Sequence, residues 1–571
     1  MSASLFFVAG RIPRATLRGY QRRSRLSGTE TATATRDIEQ DRTRLRAIHA
    51  ILTAGDIARA GAMAEQALAD GIEHPMVLDL AAGRLDEQGR SEEALALLLR
   101  AKAMAPAAFG IRNAIGLCLQ RLDRMEEAAV EFGEAIALNP DFAAAFANRA
   151  SSLVALSRLV EARRDFERAH ALDPGNLVAL GGLAALAVRR GDTAGARALA
   201  SEILEREPDF PAAATTLAAV EIAEGRSLEA QMRLRRMLGG GMLHPHDRAV
   251  AEGLLGDALD AQGRFPEAFA AYEAAGLAFQ QLYRDSHAAS PGPVPLIRSI
   301  ATKLNRRLSP FMLPPASSGP ARRHVFLAGF PRSGTTLIEQ ILEQHPDIAT
   351  IPEQECLVDA IEAAMGDAER FEAFCALPER DLQPFRDAYW RRVVQTGVDP
   401  AGRVFIDKHP FHSFKLPLIA RLFPDATILF AQRDPRDIVL SAFRRRFQLS
   451  APVYQMLTLQ GTAALFDASM ALFEATAAAF AKTMPIVKLE QLIADFDGTV
   501  QGLCETIGVP CDERLRHFAE DARERGVFTP SAPQLARGLN AEGVGRWRDY
   551  AAEMAPVMPL LSPWVSRLGY A

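Results

Sequence analysis

Pro106, Pro140, Pro174 and Pro208 stand 34 residues apart. An alanine recurs on the same period at Ala60, Ala94, Ala128, Ala162, Ala196 and Ala230, then slips by four residues to Ala268. Ten positions after each proline comes a small residue: Gly116, Ala150, Ala184 and Ala218. This period restricts the N-terminal half to a stack of helix pairs. Two short helices pack closely only where the crossing side chains are small, and proline stops the second helix before the next pair begins. Phe132 and Phe166 take a large position four residues after the alanine, while Gly89, Asp123, Gly191, Gly225 and Gly263 mark the turns between helices.

The pattern resembles the tetratricopeptide (TPR) repeat. It covers about residues 38–282, with roughly seven helix pairs, and Gly239-Gly240-Gly241 predicts a longer loop where the phase slips. Such an array offers a concave face to a peptide, a protein partner or a second copy of itself, or else buttresses the neighbouring domain. Residues 1–37 read as a basic, disordered tail: six arginines lie between Arg11 and Arg25, and no acid precedes Glu30. An Arg-rich, acid-poor start also resembles an organellar transit peptide. Residues 283–320 are Pro/Ser-rich at both ends and read as a linker around a short basic helix near Leu296–Leu308.

At 571 residues the chain exceeds one domain on a prior of ~150 residues each. A net charge of −5 offers no basic excess for nucleic acid. The five cysteines show no C-x-x-C pair and no metal-ligand spacing, which points to reduced thiols in a cytoplasmic, reducing compartment with no metal site. No run of about 18 uncharged apolar residues suits a membrane span.

The second half carries the chemistry. Residues 323–337 run from a buried strand through a glycine-turned loop into a helix, the order of a phosphate-cradling loop. Gly329-x4-Gly334-Thr335-Thr336 overlays the P-loop pattern, except that threonine replaces the lysine that reaches the β- and γ-phosphates of a nucleoside triphosphate. A P-loop kinase is therefore disfavoured. Strands are expected at 324–329, 403–406, 426–432 and 485–489 with helices between, giving a parallel α/β sheet with its ligand outside the strand C-termini. Arg433 ends one strand and Ser441 follows two helical turns later, a fork of donors plus a hydroxyl that suits a phosphate monoester.

Phe330-Pro331-Arg332-Ser333-Gly334-Thr335-Thr336 closely resembles the 5′-phosphosulfate loop of sulfotransferases that use 3′-phosphoadenosine-5′-phosphosulfate (PAPS). That resemblance spans about 321–571 and implies roles for particular residues. Arg332, Ser333, Gly334, Thr335 and Thr336 would hold the phosphosulfate, with Arg332 also catalytic. Arg433 and Ser441 would bind the 3′-phosphate. Glu353 lies eight residues after His345 and twenty-one after Arg332, the spacing of the general base in protein-tyrosine sulfotransferases. Lys408 matches the lysine that steadies charge on the leaving oxygen. Ser531 and Arg546, fifteen apart, resemble a C-terminal pair near the adenosine phosphate. Leu489 departs from the family, where tyrosine is frequent. Glu355 and His409 are alternative bases.

These readings combine into an N-terminal all-α TPR solenoid at 38–282 and an α/β P-loop-like sulfotransferase domain at 321–571. The expected reaction moves a sulfuryl group from PAPS to an acceptor hydroxyl of a protein, glycan or small molecule, without metal. The array would recruit the acceptor or a partner. A different reading is a TPR adaptor whose α/β domain binds nucleotide without catalysis. Every expected phosphate ligand lies after residue 329, so the array is expected to be dispensable for the nucleotide site.

Overall fold

The computed structural model describes residues 31–156, 158–241, 243–284, 292–307, 309–311, 319–351, 353–445, 450–519 and 538–570. Among these, fourteen helices occupy Thr31–Leu282 as seven successive helix–turn–helix pairs, followed by a parallel α/β layer structure. The first helix begins at Thr31, so residues 31–37 are helical where the sequence suggested tail.

Each periodic position has a physical role. All seven alanines, Ala60 through Ala268, are fully buried at the helix crossings. The ring of Phe132 lies where a Cβ on Gly116 would stand and that of Phe166 where one on Gly182 would, so large and small residues interlock within one pair and between neighbouring pairs. Gly55, Gly89, Asp123, Gly191, Gly225 and Gly263 all adopt positive φ (58–86°). This position needs a left-handed residue, and aspartate is among the few non-glycines that tolerate it.

The phase slip arises elsewhere than expected. Pro245 opens its helix 34 residues after Pro211, in phase, so the Gly239–Gly241 stretch adds nothing to the period. The helix Pro245–Asp260 runs 16 residues where Pro211–Ala223 runs 13. The turn after it is one residue longer as well, so the partner Phe265–Leu282 starts four residues late. Asp260 sits in that extra helical turn.

Among the described residues five parallel strands form the sheet: β1 (Arg323–Gly329), β2 (Ile348–Ile351), β3 (Val404–Lys408), β4 (Thr427–Gln432) and β5 (Ile486–Lys488), in the order β2-β3-β1-β4-β5. The four-residue β2 was not foreseen from sequence. Alternate residues face opposite sides and both sides are buried, as a parallel sheet requires. Phe326, Ala328, Phe405, Ile428 and Phe430 join one core, and Val325, Leu327, Val404, Ile406 and Leu429 another.

Two compact units divide the chain. One comprises residues 1–187 with 194–208, and the other 188–193 with 209–571. In the second unit the core on one sheet face is continuous with Ala251, Ala258 and Tyr272 of the last helix pair. The region read as a linker supplies a core helix, Pro293–Asn305, which buries Val294, Ile297, Ile300 and Leu304 in the same cluster. Division therefore falls near Pro208, ahead of the Pro/Ser-rich stretch.

Candidate functional site

β1 ends at Gly329, where a side chain would collide with Ser333 Oγ and crowd the carbonyl of Ala431 on β4. Phe330 anchors the loop, buried edge-on against Phe414 and Phe466. Arg332 (φ 75°) and Gly334 (φ 104°) then reverse the backbone into the helix Thr335–Leu342. A left-handed arginine is uncommon and costs about 1–2 kcal/mol, which the surrounding structure must offset. Ser333 Oγ is buried without a hydrogen-bond partner. A buried hydroxyl in that condition inside a loop at a helix N-terminus suits an anionic ligand.

The strand order places this loop at the topological switch point. From β1 the chain moves to β2 and β3 on one side and crosses to β4 on the other, opening a crevice between the ends of β1 and β4. There Arg332 Nε donates to Ser441 Oγ at 3.1 Å, and Arg433 Nη1 donates to the Arg332 carbonyl at 3.3 Å. Arg433 also donates to the Gly543 carbonyl, while its Nε is buried without a partner. It forms no ion pair with the acids beside it: Asp434 pairs with Arg436 at 2.7 Å. The resulting cavity, about 690 Å³, is lined by Arg332, Gly334, Thr335, Thr336, Arg433, Ser441 and Arg546, with Leu489 beside Gly334. Burial, then repulsion from Arg445, Arg433 and Arg444, lowers the Arg332 pKa to about 9. An anion bound here would relieve that repulsion.

Helix Pro435–Arg444 organises the C-terminal segment. Asp437 accepts the Gly545 N–H at 2.6 Å and the Trp547 N–H at 2.9 Å, and the Arg436 guanidinium lies 4.0 Å over the Trp547 ring. These contacts bring Arg546 to the cavity wall. Its guanidinium is held by Asp260 at 2.7 Å and Asp549 at 2.9 Å. Ser531 lies outside the described residues.

Glu353 and Lys408 form an ion pair, but neither lines the cavity. Lys408 is fully buried and also bonds Glu339 at 2.8 Å. Glu339 belongs to the helix that begins with Thr335, so the loop helix is tied directly to the lysine. Burial works to lower the Lys408 pKa, and Glu339 with Glu353 outweighs it and raises it. Burial raises the Glu339 pKa to about 7 against the pull of Lys408. Of the alternative bases, Glu355 pairs with Lys415 and caps the Leu357 N–H. His409 accepts the Phe411 N–H at 3.2 Å, and burial, then Lys415, lowers its pKa to about 2.

Sequence reasoning missed Glu339, Arg444, Arg445, Asp257 and Asp260. Arg444 is three residues after Ser441 on the same helix face, a spacing that was legible. Asp257 and Asp260 share a face of the Pro245–Asp260 helix and line the cavity with Ala261 and Ile222, so residues of the last repeats contribute to its wall. Among the described residues no group of three or more His, Cys, Asp and Glu side chains could hold a metal ion, and no helix is long and apolar enough to cross a membrane.

Residues 324–513 match the sequence model of the sulfotransferase family, and residues 153–220 match that of the tetratricopeptide repeat. The chain thus carries a sulfotransferase-family domain preceded by TPR repeats. An uncharacterized protein of Aquifex aeolicus is 25% identical over 258 residues, 44% of this chain and 33% of that protein. The match spans about a third of that relative's length. Protein-tyrosine sulfotransferase 1 of Danio rerio is 23% identical over 263 residues, 43% of this chain and 72% of that protein. Among solved structures, the sulfotransferase domain of the Synechococcus PCC 7002 olefin synthase is 17% identical and covers 45% of this chain and 98% of its own, with a TM-score of 0.31.

Proposed function

We propose that this chain is a PAPS-dependent sulfotransferase acting on an acceptor hydroxyl, with protein tyrosine and glycan hydroxyls the first acceptors to try. The observation that carries the reading is the meeting of Arg332 with Ser441 at 3.1 Å, beside Arg433, on one cavity at the strand C-termini. In this reading Arg332, Ser333, Gly334, Thr335 and Thr336 hold the 5′-phosphosulfate, Arg433 and Ser441 the 3′-phosphate, and Arg546, with Ser531, the nucleotide's far side. The acceptor oxygen bonds to sulfur as the bond from sulfur to the bridging phosphate oxygen breaks. Glu353 takes the acceptor proton, Lys408 and Arg332 steady charge on the departing oxygen, and adenosine 3′,5′-bisphosphate leaves. Glu339 keeps Lys408 anchored when Glu353 turns to the acceptor.

The array would recruit the acceptor or a protein partner, or mediate self-association. The free cysteines support a reducing, cytoplasmic setting. Calorimetry should show adenosine 3′,5′-bisphosphate binding far more tightly than adenosine 5′-phosphate, since a charge-assisted phosphate contact contributes about 1.5–3 kcal/mol. Equal affinities would sink the nucleotide assignment. Incubation with radiolabelled PAPS and cell extract should label an acceptor. Tight binding without any transfer would instead support a TPR adaptor.

A further inference from the structure

The cavity lining mixes both charges, and beside its arginines the α/β part contributes Asp437 and Glu542. Arg332, Arg433, Arg444, Arg445 and Arg546 come from the α/β part, while Asp257 and Asp260 come from the last helix pair of the repeats. Asp260 is the hub. Its Oδ1 accepts from Arg546 Nη2 at 2.7 Å and from Tyr550 Oη at 2.5 Å, and its Oδ2 pairs with Arg444 Nη2 at 2.7 Å. Arg444 also donates to Tyr272 Oη at 3.0 Å, and that hydroxyl donates to Asp257 at 2.9 Å. The rings of Tyr272 and Tyr550 lie 4.9 and 5.3 Å from the Arg444 guanidinium.

We infer that Asp260 is a positioning residue of the anion site, delivered by the extra helical turn of the last repeat, and that it fixes Arg444 and Arg546 in the cavity wall. The inference rests on the reading of the cavity as a nucleotide site. A flexible arginine loses much side-chain entropy on meeting a phosphate, and a carboxylate that fixes it beforehand removes part of that cost. The four-residue slip thereby acquires a role in the site. It carries a carboxylate from the repeats to one arginine of the helix Pro435–Arg444 and one of the C-terminal segment.

The sign of one substitution separates positioning from proximity. A carboxylate that merely lies beside an anion site repels the ligand, so its neutralisation would tighten binding. If Asp260 holds the arginines, Asp260→Asn in the full chain should weaken adenosine 3′,5′-bisphosphate binding about tenfold by calorimetry. In an Arg444→Ala, Arg546→Ala background the same substitution should change affinity less than about twofold. Unchanged or tighter binding in the single variant overturns the proposal. Should Asp260→Asn lose its helical circular dichroism, Tyr550→Phe removes only the hydroxyl that steadies Asp260, and about threefold weaker binding is expected. No change there overturns the proposal equally. Inorganic pyrophosphate is titrated in parallel. A parent that binds pyrophosphate but not the bisphosphate refutes the nucleotide reading, and the Asp260 comparison is then decided on pyrophosphate. A parent that binds neither overturns both.

Discussion

Lys408 Nζ lies 2.8 Å from Glu339 and is ion-paired on its other side with Glu353, so one buried ammonium serves two carboxylates. With all three ionised the group is net negative, and the deeply buried Glu339 is the member that takes a proton most readily. Glu339 stands at 7% residue exposure, whereas the Glu353 side chain stands at 36%.

This asymmetry sets a pH dependence. The Glu339 pKa is raised by burial from 4.5 to about 7. Below about pH 4.5 the carboxyl is protonated in both folded and unfolded chains, and between 4.5 and 7 mainly the folded chain keeps the proton. Folding takes up a proton in that window, so stability falls as pH rises through it. Urea midpoints at pH 5 and pH 8 should therefore drop further for the parent than for Glu339→Gln, which has no proton to lose. A parent that gains on the variant toward pH 8 would mean that the ionised pair is net stabilising.

Glu353 and its neighbours make a second test. Glu353→Gln keeps size and hydrogen bonding but loses basicity, so turnover should fall roughly 10²–10⁴-fold while bisphosphate affinity barely moves. Glu355→Gln and His409→Ala should stay within about tenfold of the parent. Glu355 is engaged by Lys415, and His409 Nδ1 accepts the Phe411 N–H. A dead His409→Ala beside a near-normal Glu353→Gln would transfer the base to the histidine.

Fragments test where the chain divides. A fragment of residues 209–571 keeps the last two helix pairs and the shared core, and should bind adenosine 3′,5′-bisphosphate like the parent. A fragment of residues 285–571 loses Asp257, Asp260, Tyr272 and that core face, and should bind far more weakly or fail to fold. Equal affinity of the two fragments would return the boundary to the Pro/Ser-rich stretch.

The periodic features were legible because each has a local cause. Alanine at a crossing, a left-handed turn residue and a terminating proline repeat with the packing that demands them. The loop from Gly329 to Thr336 was legible for a similar reason, since few other needs put those residues together. What the sequence hid was long-range. Asp260 and Arg546 lie 286 positions apart, and nothing local distinguishes Asp260 from any surface acid of a helix end. Strand β2 is too short to show a period. Glu339 reads as an ordinary helix-surface glutamate until β3 brings Lys408 against it. A short helix was expected in the linker, but its burial depends on the distant helix Leu459–Ala479, whose Asp467 also pairs with the exposed Arg298 at 2.8 Å across 169 residues.

Arg332 carries backbone strain that unfolding can measure. Its backbone is left-handed at φ 75°, a conformation that glycine adopts freely and alanine does not. Arg332→Gly and Arg332→Ala lose the same guanidinium, and with it the bond to Ser441 and the repulsion from Arg433, Arg444 and Arg445. Both should bind adenosine 3′,5′-bisphosphate weakly, so affinity does not separate them. Stability does. The glycine variant should be more stable than the alanine variant by about 1 kcal/mol, since glycine escapes the left-handed penalty and returns only part of that gain as unfolded-state entropy. Equilibrium urea unfolding of the two variants measures the difference directly. An alanine variant as stable as the glycine variant would mean that the loop relaxes to ordinary φ once the arginine is gone. The strain would then belong to the arginine's contacts in the cavity and not to the loop's own path.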